Sequence, residues 1–313
     1  MAAVPNYAYF QGKIVPYSEA KIGVMTHALN YGTAIFGGVR GYWNDAEEEL
    51  FIFRPQDHLK RLYNSAKLMV MDIPVGPDEL MERMVELLQM EGHRQDVYLR
   101  PMAYFADEII GVKLHDLQTE VTLFSVPFSK YVANDTGAHV TFSSWRRLDD
   151  NMIPARGKIA GAYVNTAFIK TDAVRAGFDE AIVLTADGHI SEGSAENIFM
   201  VRDGIVYTPP ITDNILEGIT RRSIIELARH EGYTVIERSI DRTEVFLADE
   251  MFMTGTAAQV TAITKVDHRV IGDGVMGPVA SRLRKLYDDA VRGRLPEFRH
   301  WNYPVYEKMV VKS

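Results

Sequence analysis

Residues 155–165 read ARGKIAGAYVN, and the fold turns on what Lys158 does there. Ala155, Gly157, Ala160, Gly161 and Ala162 surround it with small side chains, which leave room for a flat ring to approach the backbone. A lysine reaching into such a space is partly desolvated, and desolvation favours the neutral amine that attacks carbonyl carbon. The same residues also suit a solvated surface lysine, so this stretch alone leaves both readings open.

Further along, residues 189–197 read HISEGSAEN, with Glu192 between a strand ending near Thr185 and another beginning at Asn197. A carboxylate there can keep a pyridine nitrogen protonated, which makes the ring an electron sink. A turn glutamate, with Glu196 and Asn197 as local hydrogen-bonding residues, is the other reading. Gly218, Ile219 and Thr220 open the helical stretch ITRRSIIELARH. The free N–H groups and positive end of such a helix suit a phosphate. Thr254-Gly255-Thr256-Ala257-Ala258 follows a strand directly and offers hydroxyls and amides to an anion. Each is a common loop type by itself.

The chain has 313 residues, beyond the ~250–300 at which a single core stops growing, so two domains are expected. The boundary is placed at residues 127–137, PFSKYVANDTG, which gather turn formers. Residues 1–126 then form a small N-terminal domain and residues 138–313 a larger C-terminal one. In the first, hairpins are predicted over Tyr7–Tyr17, broken at Gln11-Gly12, and over Val39–Trp43 with Leu50–Phe53. Helices follow Pro55, with Leu59, Leu62, Ala66 and Met69 on one face, and Pro77, with Leu80, Met84 and Leu87. Strands Val97–Phe105 and Val121–Val126 complete it. The second domain is read as strand His139–Trp145, a helix over 161–176 and strands Ala181–Thr185, Asn197–Val201 and Ile205–Tyr207. Helix Gly218–His230, strands Tyr233–Ile240 and Glu250–Thr254 and a helix from Pro278 follow. The class is α+β. Gly272, Gly274 and Gly277 fit G-x-G-x-x-G, but the acid such a fold requires would be Glu297, in the irregular tail, so a turn into the Pro278 helix is expected. The tail RLPEFRHWNYPVYEK is expected to pack across a domain or subunit surface.

A formal net charge of −8 gives nucleic-acid binding no electrostatic support. With no cysteine, disulfides, thiolate nucleophiles and thiolate metal sites are excluded. No run approaches the ~20 apolar residues that span a bilayer, and the N-terminus lacks a basic-then-apolar leader. A cytoplasmic location with no membrane partner is expected.

The order is the specific signal: Lys158, then SEG at 191–193, then the Gly-Ile-Thr helix start, then MTGTAA at 253–258. It resembles the fold-type IV pyridoxal-phosphate enzymes, the class IV aminotransferases, from about Asn6 to the helix after Pro278. THALNYGTAIFGGVR at 26–40, VYLRP at 97–101 and PFSKY at 127–131 look most like the branched-chain amino acid aminotransferases.

The resemblance implies a small and a larger domain with pyridoxal 5'-phosphate held between them. Lys158 would be the Schiff-base lysine and proton shuttle, Glu192 the partner of the pyridine nitrogen, and Tyr163 the partner of the ring hydroxyl. Arg61 in HLKRLYNSAK would hold the phosphate with the backbone of Ile219 and Thr220 and the hydroxyl of Thr256. Tyr98 and the backbone at Ala257 and Ala258 would receive the substrate's α-carboxylate, with Arg40 nearby. Tyr31, Phe36, Gly38, Ile110, Val112, Phe128, Tyr131 and Tyr163 would line the side-chain pocket. Ile110 and Val112 would come from the partner subunit of a homodimer or higher homo-oligomer. The implied reaction is ping-pong transfer from leucine, isoleucine or valine to 2-oxoglutarate.

Accepting glutamate in an apolar pocket requires a cation at its edge, since burying an unpaired charge is prohibitive. Arg100 follows Tyr98 by two residues on a predicted strand and so shares its face. A structural arginine paired with an acid such as Asp107 is the alternative. Two departures stand out: Phe36-Gly37-Gly38 where family members commonly have Phe-Glu-Gly, and Phe128 where they have tryptophan. These leave open a D-amino acid or (R)-selective amine transaminase, while aminodeoxychorismate lyase is a further activity of the same fold.

Overall fold

The computed structural model describes residues 4–128 and 137–307. Two compact units are present, each with its own sheet. The described residues of Met1–Ser129, Gly157–Gly161 and Asp289–Ser313 form the first, and those of Lys130–Arg156 and Ala162–Asp288 the second. A single cut at 127–137 therefore does not reproduce the division. The lysine segment and the tail both join the first unit, because each contributes backbone pairing to it.

The first unit is built on an eight-stranded sheet, with Asn302–Pro304, Glu49–Phe53, Val39–Asn44, Val97–Phe105, Thr119–Pro127, Tyr7–Phe10 and Lys13–Pro16 in spatial order and Ala34–Phe36 also on Val97–Phe105. Gln11 and Gly12 both have positive φ, 48° and 81°, the two-residue turn that matches the twist of the strands it joins. Helices Pro55–Leu68 and Pro77–Glu91 each begin with proline, whose missing N–H is an orphan at that position anyway. They bury Leu59, Leu62, Ala66, Leu80, Met84 and Leu87 as their spacing predicts.

The tail does cross a domain surface. Asn302–Pro304 pairs with Glu49–Phe53, while Phe298, Trp301 and Val305 are buried. The Glu49 carboxylate accepts the N–H groups of Val305, Tyr306 and Glu307 at 3.0, 2.9 and 2.8 Å.

The second unit holds a nine-stranded mixed sheet, with Ile190–Gly193, Glu180–Leu184, Ala138–Arg146, Gln259–Val266, Glu250–Gly255, Asn197–Arg202, Ile205–Thr208 and Val235–Glu237 in order and Arg269–Val270 on Gln259–Val266. Asp203-Gly204 repeats the left-handed turn, at φ 52° and 73°. The first helix runs Tyr163–Arg175 behind a 3-10 turn at Ala160–Ala162, and Pro278–Val291 forms as expected. Of the expected strand Tyr233–Ile240, Val235–Glu237 forms the strand proper, parallel to Ile205–Thr208. Gly272, Gly274 and Gly277 belong to the turn before the last helix. A Cβ on Gly277 would lie 2.1 Å from the Glu250 carboxyl carbon, and that carboxylate caps the helix through Val279 and Ala280 N–H. Among the described residues, no helix is long and apolar enough to cross a membrane.

Candidate active site

In the first unit, Lys158 sits on a short segment bonded to its neighbours through the backbone. Its N–H donates to Ser65 Oγ at 3.1 Å, and its carbonyl accepts the Phe36 N–H at 3.0 Å. Ile159 bridges to Ile35, and Gly161 N–H donates to the Gly32 carbonyl at 3.0 Å. The small residues around Lys158 thus serve backbone approach: a Cβ on Gly32 would lie 2.9 Å from Gly161 Cα. Ser65 also donates to the carbonyl of Arg61, at 2.9 Å. One buried serine therefore ties the lysine to the helix that carries Arg61, and no local pattern singles it out.

Lys158 Nζ lies 5.0 Å from the centre of the Phe36 ring, and the Arg100 guanidinium lies 4.5 Å from it. Arg100 donates to the Tyr98 hydroxyl at 2.9 Å. Tyr98 and Arg100 share the half-buried face of Val97–Phe105, opposite the buried Val97 and Leu99, as alternation requires. Arg100 is not paired with Asp107, whose carboxylate instead accepts the Gln118 N–H. Gly38 has a steric reason to be glycine, since its Cβ would fall 2.3 Å from the Tyr98 hydroxyl. Gly37, the departure from Phe-Glu-Gly, is closely backed by a neighbouring side chain. A Cβ there would meet Pro101 Cγ at 2.8 Å.

Arg40 is fully buried and donates to the Phe128 carbonyl at 3.0 Å and to Asp96 at 3.4 Å. Phe128 stacks at a tilt on Tyr98, 5.4 Å between centres. The Tyr31 hydroxyl accepts the Gly111 N–H at 3.1 Å, in the loop where Ile110 and Val112 are 78% and 76% exposed. Tyr131 lies outside the described residues.

In the second unit, Glu192 is in strand Ile190–Gly193, paired with Glu180–Leu184 at an irregular register, and not in a turn. Its carboxylate accepts Arg147 Nη2 at 2.8 Å, Asn197 Nδ2 at 3.0 Å and Leu216 N–H at 2.9 Å. A guanidinium and two N–H donors are the partners that a carboxylate serving a protonated pyridine requires.

Asn197 reaches further. A Cβ on Gly218 would lie 2.0 Å from its Oδ1, so the residue holding Glu192 also presses on the start of helix Ile219–His230. That helix has Gly218 as N-cap and no side-chain cap bond, so the first N–H groups, at Ile219 and Thr220, are not capped by a side chain and suit a phosphate. Tyr163 begins its own helix, which Thr166 ties to the Ser194 carbonyl. Thr256, Ala257 and Ala258 form the turn between Glu250–Gly255 and the strand Gln259–Val266.

Taken unit by unit, the donors are of the kinds pyridoxal phosphate requires: a lysine amine in the first, and in the second a hydrogen-bonded carboxylate and a helix start without a side-chain cap. The chain belongs to the amino-transferase class IV family, whose pattern matches residues 42–266.

More particular likenesses follow. A probable branched-chain-amino-acid aminotransferase of Aquifex aeolicus is 45% identical over 304 residues, covering 97% of this chain and 98% of that one. The crystal structure of a branched-chain aminotransferase from Thermoproteus uzoniensis with norvaline has a TM-score of 0.93 at 39% identity, covering 97% of this chain and all of the other. The T.th. branched-chain amino acid aminotransferase complexed with N-(5'-phosphopyridoxyl)-L-glutamate has a TM-score of 0.92 at 42% identity, covering 96% and 99%.

Proposed function

We propose that this chain transfers amino groups between branched-chain L-amino acids and 2-oxoglutarate by a ping-pong cycle, with pyridoxal 5'-phosphate as cofactor. The observation that carries the reading is the grouping at Phe36. An apolar ring for a branched side chain has the lysine amine over it and, beside that, an arginine for a second carboxylate. The structures of relatives holding the straight-chain norvaline, the branched 4-methylvaleric acid and a phosphopyridoxyl-glutamate support an apolar pocket that also takes a carboxylate.

When bound, the cofactor supplies a carbonyl for the amino group and a ring that draws electrons from the substrate Cα. Lys158 anchors it and moves a proton at Nζ. Glu192 holds the ring nitrogen and Tyr163 the ring hydroxyl, while Arg61, Ile219, Thr220 and Thr256 take the phosphate. Tyr98, Ala257 and Ala258 orient the α-carboxylate. The exposed Ile110 and Val112 suit residues that a second copy covers, in a homodimer whose pockets they complete. The acidic, cysteine-free composition suits the cytoplasm.

Mixing the pyridoxal form with L-amino acids, D-amino acids and (R)-amines and following its visible absorbance band tests the reading. Leucine, isoleucine, valine and glutamate should each bleach the band. Response to D-amino acids or (R)-amines alone would overturn it.

Arg100→Met tests the dual specificity. Arg100 has no carboxylate within 4 Å among the described residues, whereas Arg40 is committed to Asp96 and Phe128. The Michaelis constants for glutamate and 2-oxoglutarate should rise roughly 10- to 100-fold, the loss of one charge-assisted pair. Leucine and its oxo acid should change little. Equal losses for both substrate types would mean structural damage, and no loss for glutamate would remove Arg100 from the assignment.

A further inference from the structure

Residues 190–197 carry two buried glutamates in opposite circumstances. Glu192 has a guanidinium on Oε1 and two N–H donors on Oε2. Among the described residues, Glu196 accepts only the N–H of its neighbour Ala195, at 3.0 Å. The nearby Lys170 is bonded to Glu180 at 2.7 Å, so burial, with Glu180 adding to it, pushes the Glu196 carboxyl up to about 8. Glu196 therefore shows what a glutamate in this place becomes without a cation of its own.

Arg147 is fixed before it meets Glu192. Its N–H donates to the Leu184 carbonyl at 2.9 Å, just beyond strand Ala138–Arg146. Its Nε donates to the Asn214 carbonyl at 2.9 Å, leaving Nη2 for the carboxylate. Asn214 holds a left-handed conformation at φ 58°, and its side chain donates to Asp149 at 3.0 Å. The fork is thus set by the backbone at both ends, which a flexible ammonium cannot reproduce.

We propose that Arg147 is a positioning residue for amino transfer, holding the Glu192 carboxylate charged and oriented for the pyridine nitrogen. The inference rests on the reading that Glu192 serves that nitrogen. Arg147 is in direct contact with the carboxylate, whereas a pyridine nitrogen bound to that carboxylate would be reached through it, so the guanidinium would stabilise the anion more than it would repel a protonated ring. Without it, the shared proton moves toward Glu192 and the ring becomes a poorer electron sink.

The test uses holoenzyme loaded with cofactor labelled with 15N in the ring. Wild type should show a protonated ring nitrogen. In Arg147→Gln the resonance should move toward the unprotonated range, and kcat should fall roughly 10- to 100-fold with a smaller change in the Michaelis constant for leucine. A protonated ring in Arg147→Gln would overturn the inference, whereas an unprotonated ring in wild type would overturn the reading of Glu192 itself. Should the glutamine variant not fold, Arg147→Lys carries the test. Its charge should keep the ring protonated while the lost Nε anchor lowers kcat several-fold, and wild-type kcat in that variant would refute the positioning role.

Discussion

Lys158→Ala is expected to abolish amino transfer, by more than about 10³-fold, while leaving the fold in place. A positioned proton-transfer group alone contributes roughly 10²–10⁴-fold, and the substitution also removes the covalent anchor. The fold should survive because the main-chain bonds of Lys158 to Ser65 and Phe36, which hold its segment in place, are untouched by the substitution. Far-UV circular dichroism should therefore be unchanged. Borohydride reduction followed by peptide mass mapping should find cofactor mass on the peptide containing residue 158 in wild type and none in the variant. Cofactor mass on another lysine in both proteins would show that the anchor was misassigned.

Glu192→Gln should bind cofactor but turn over about 10²-fold or more slowly, because an amide cannot keep the ring nitrogen protonated. The structure adds a second expected effect. Arg147, Asn197 and the Leu216 N–H all donate to Glu192, and an amide offers an oxygen on one side only. Its NH2 must face at least one of these donors, leaving a buried polar group unsatisfied at a cost of about 1–3 kcal/mol. Thermal unfolding of the cofactor-free variant should show that loss. A wild-type rate would sink the assignment of Glu192, whatever the stability.

Features written in local chemistry were legible from the sequence. Gln11-Gly12 and Asp203-Gly204 announce turns because few residues tolerate left-handed backbone. Tyr98 and Arg100 share a face because strands alternate. Features that depend on distant partners were not legible. Glu192 reads as a turn residue because Ser-Glu-Gly looks like a turn, and only pairing with Glu180–Leu184 makes it a strand. Arg147 is one of two adjacent arginines and Ser65 a polar helix residue. Neither pattern reveals a partner far along the chain, a strand carboxylate in one case and the lysine segment in the other. Strand Gln259–Val266 does carry a local signal, in the β-branched residues of QVTAITKV, but the anion-binding look of the turn before it masks the strand.

The tail pairing at Glu49–Phe53 bears on how the chain folds as it is made. The first unit takes its outer strand from Asn302–Pro304 and its lysine segment from Gly157–Gly161. A growing chain emerges at about 5–20 residues per second, so the ribosome must add most of the protein before that sheet edge finds its neighbour. Until then Glu49–Phe53 is an unprotected apolar template for other chains. The nascent protein is most exposed to misassembly during that interval, and expression trials that remove or occlude the C-terminal residues would prolong it.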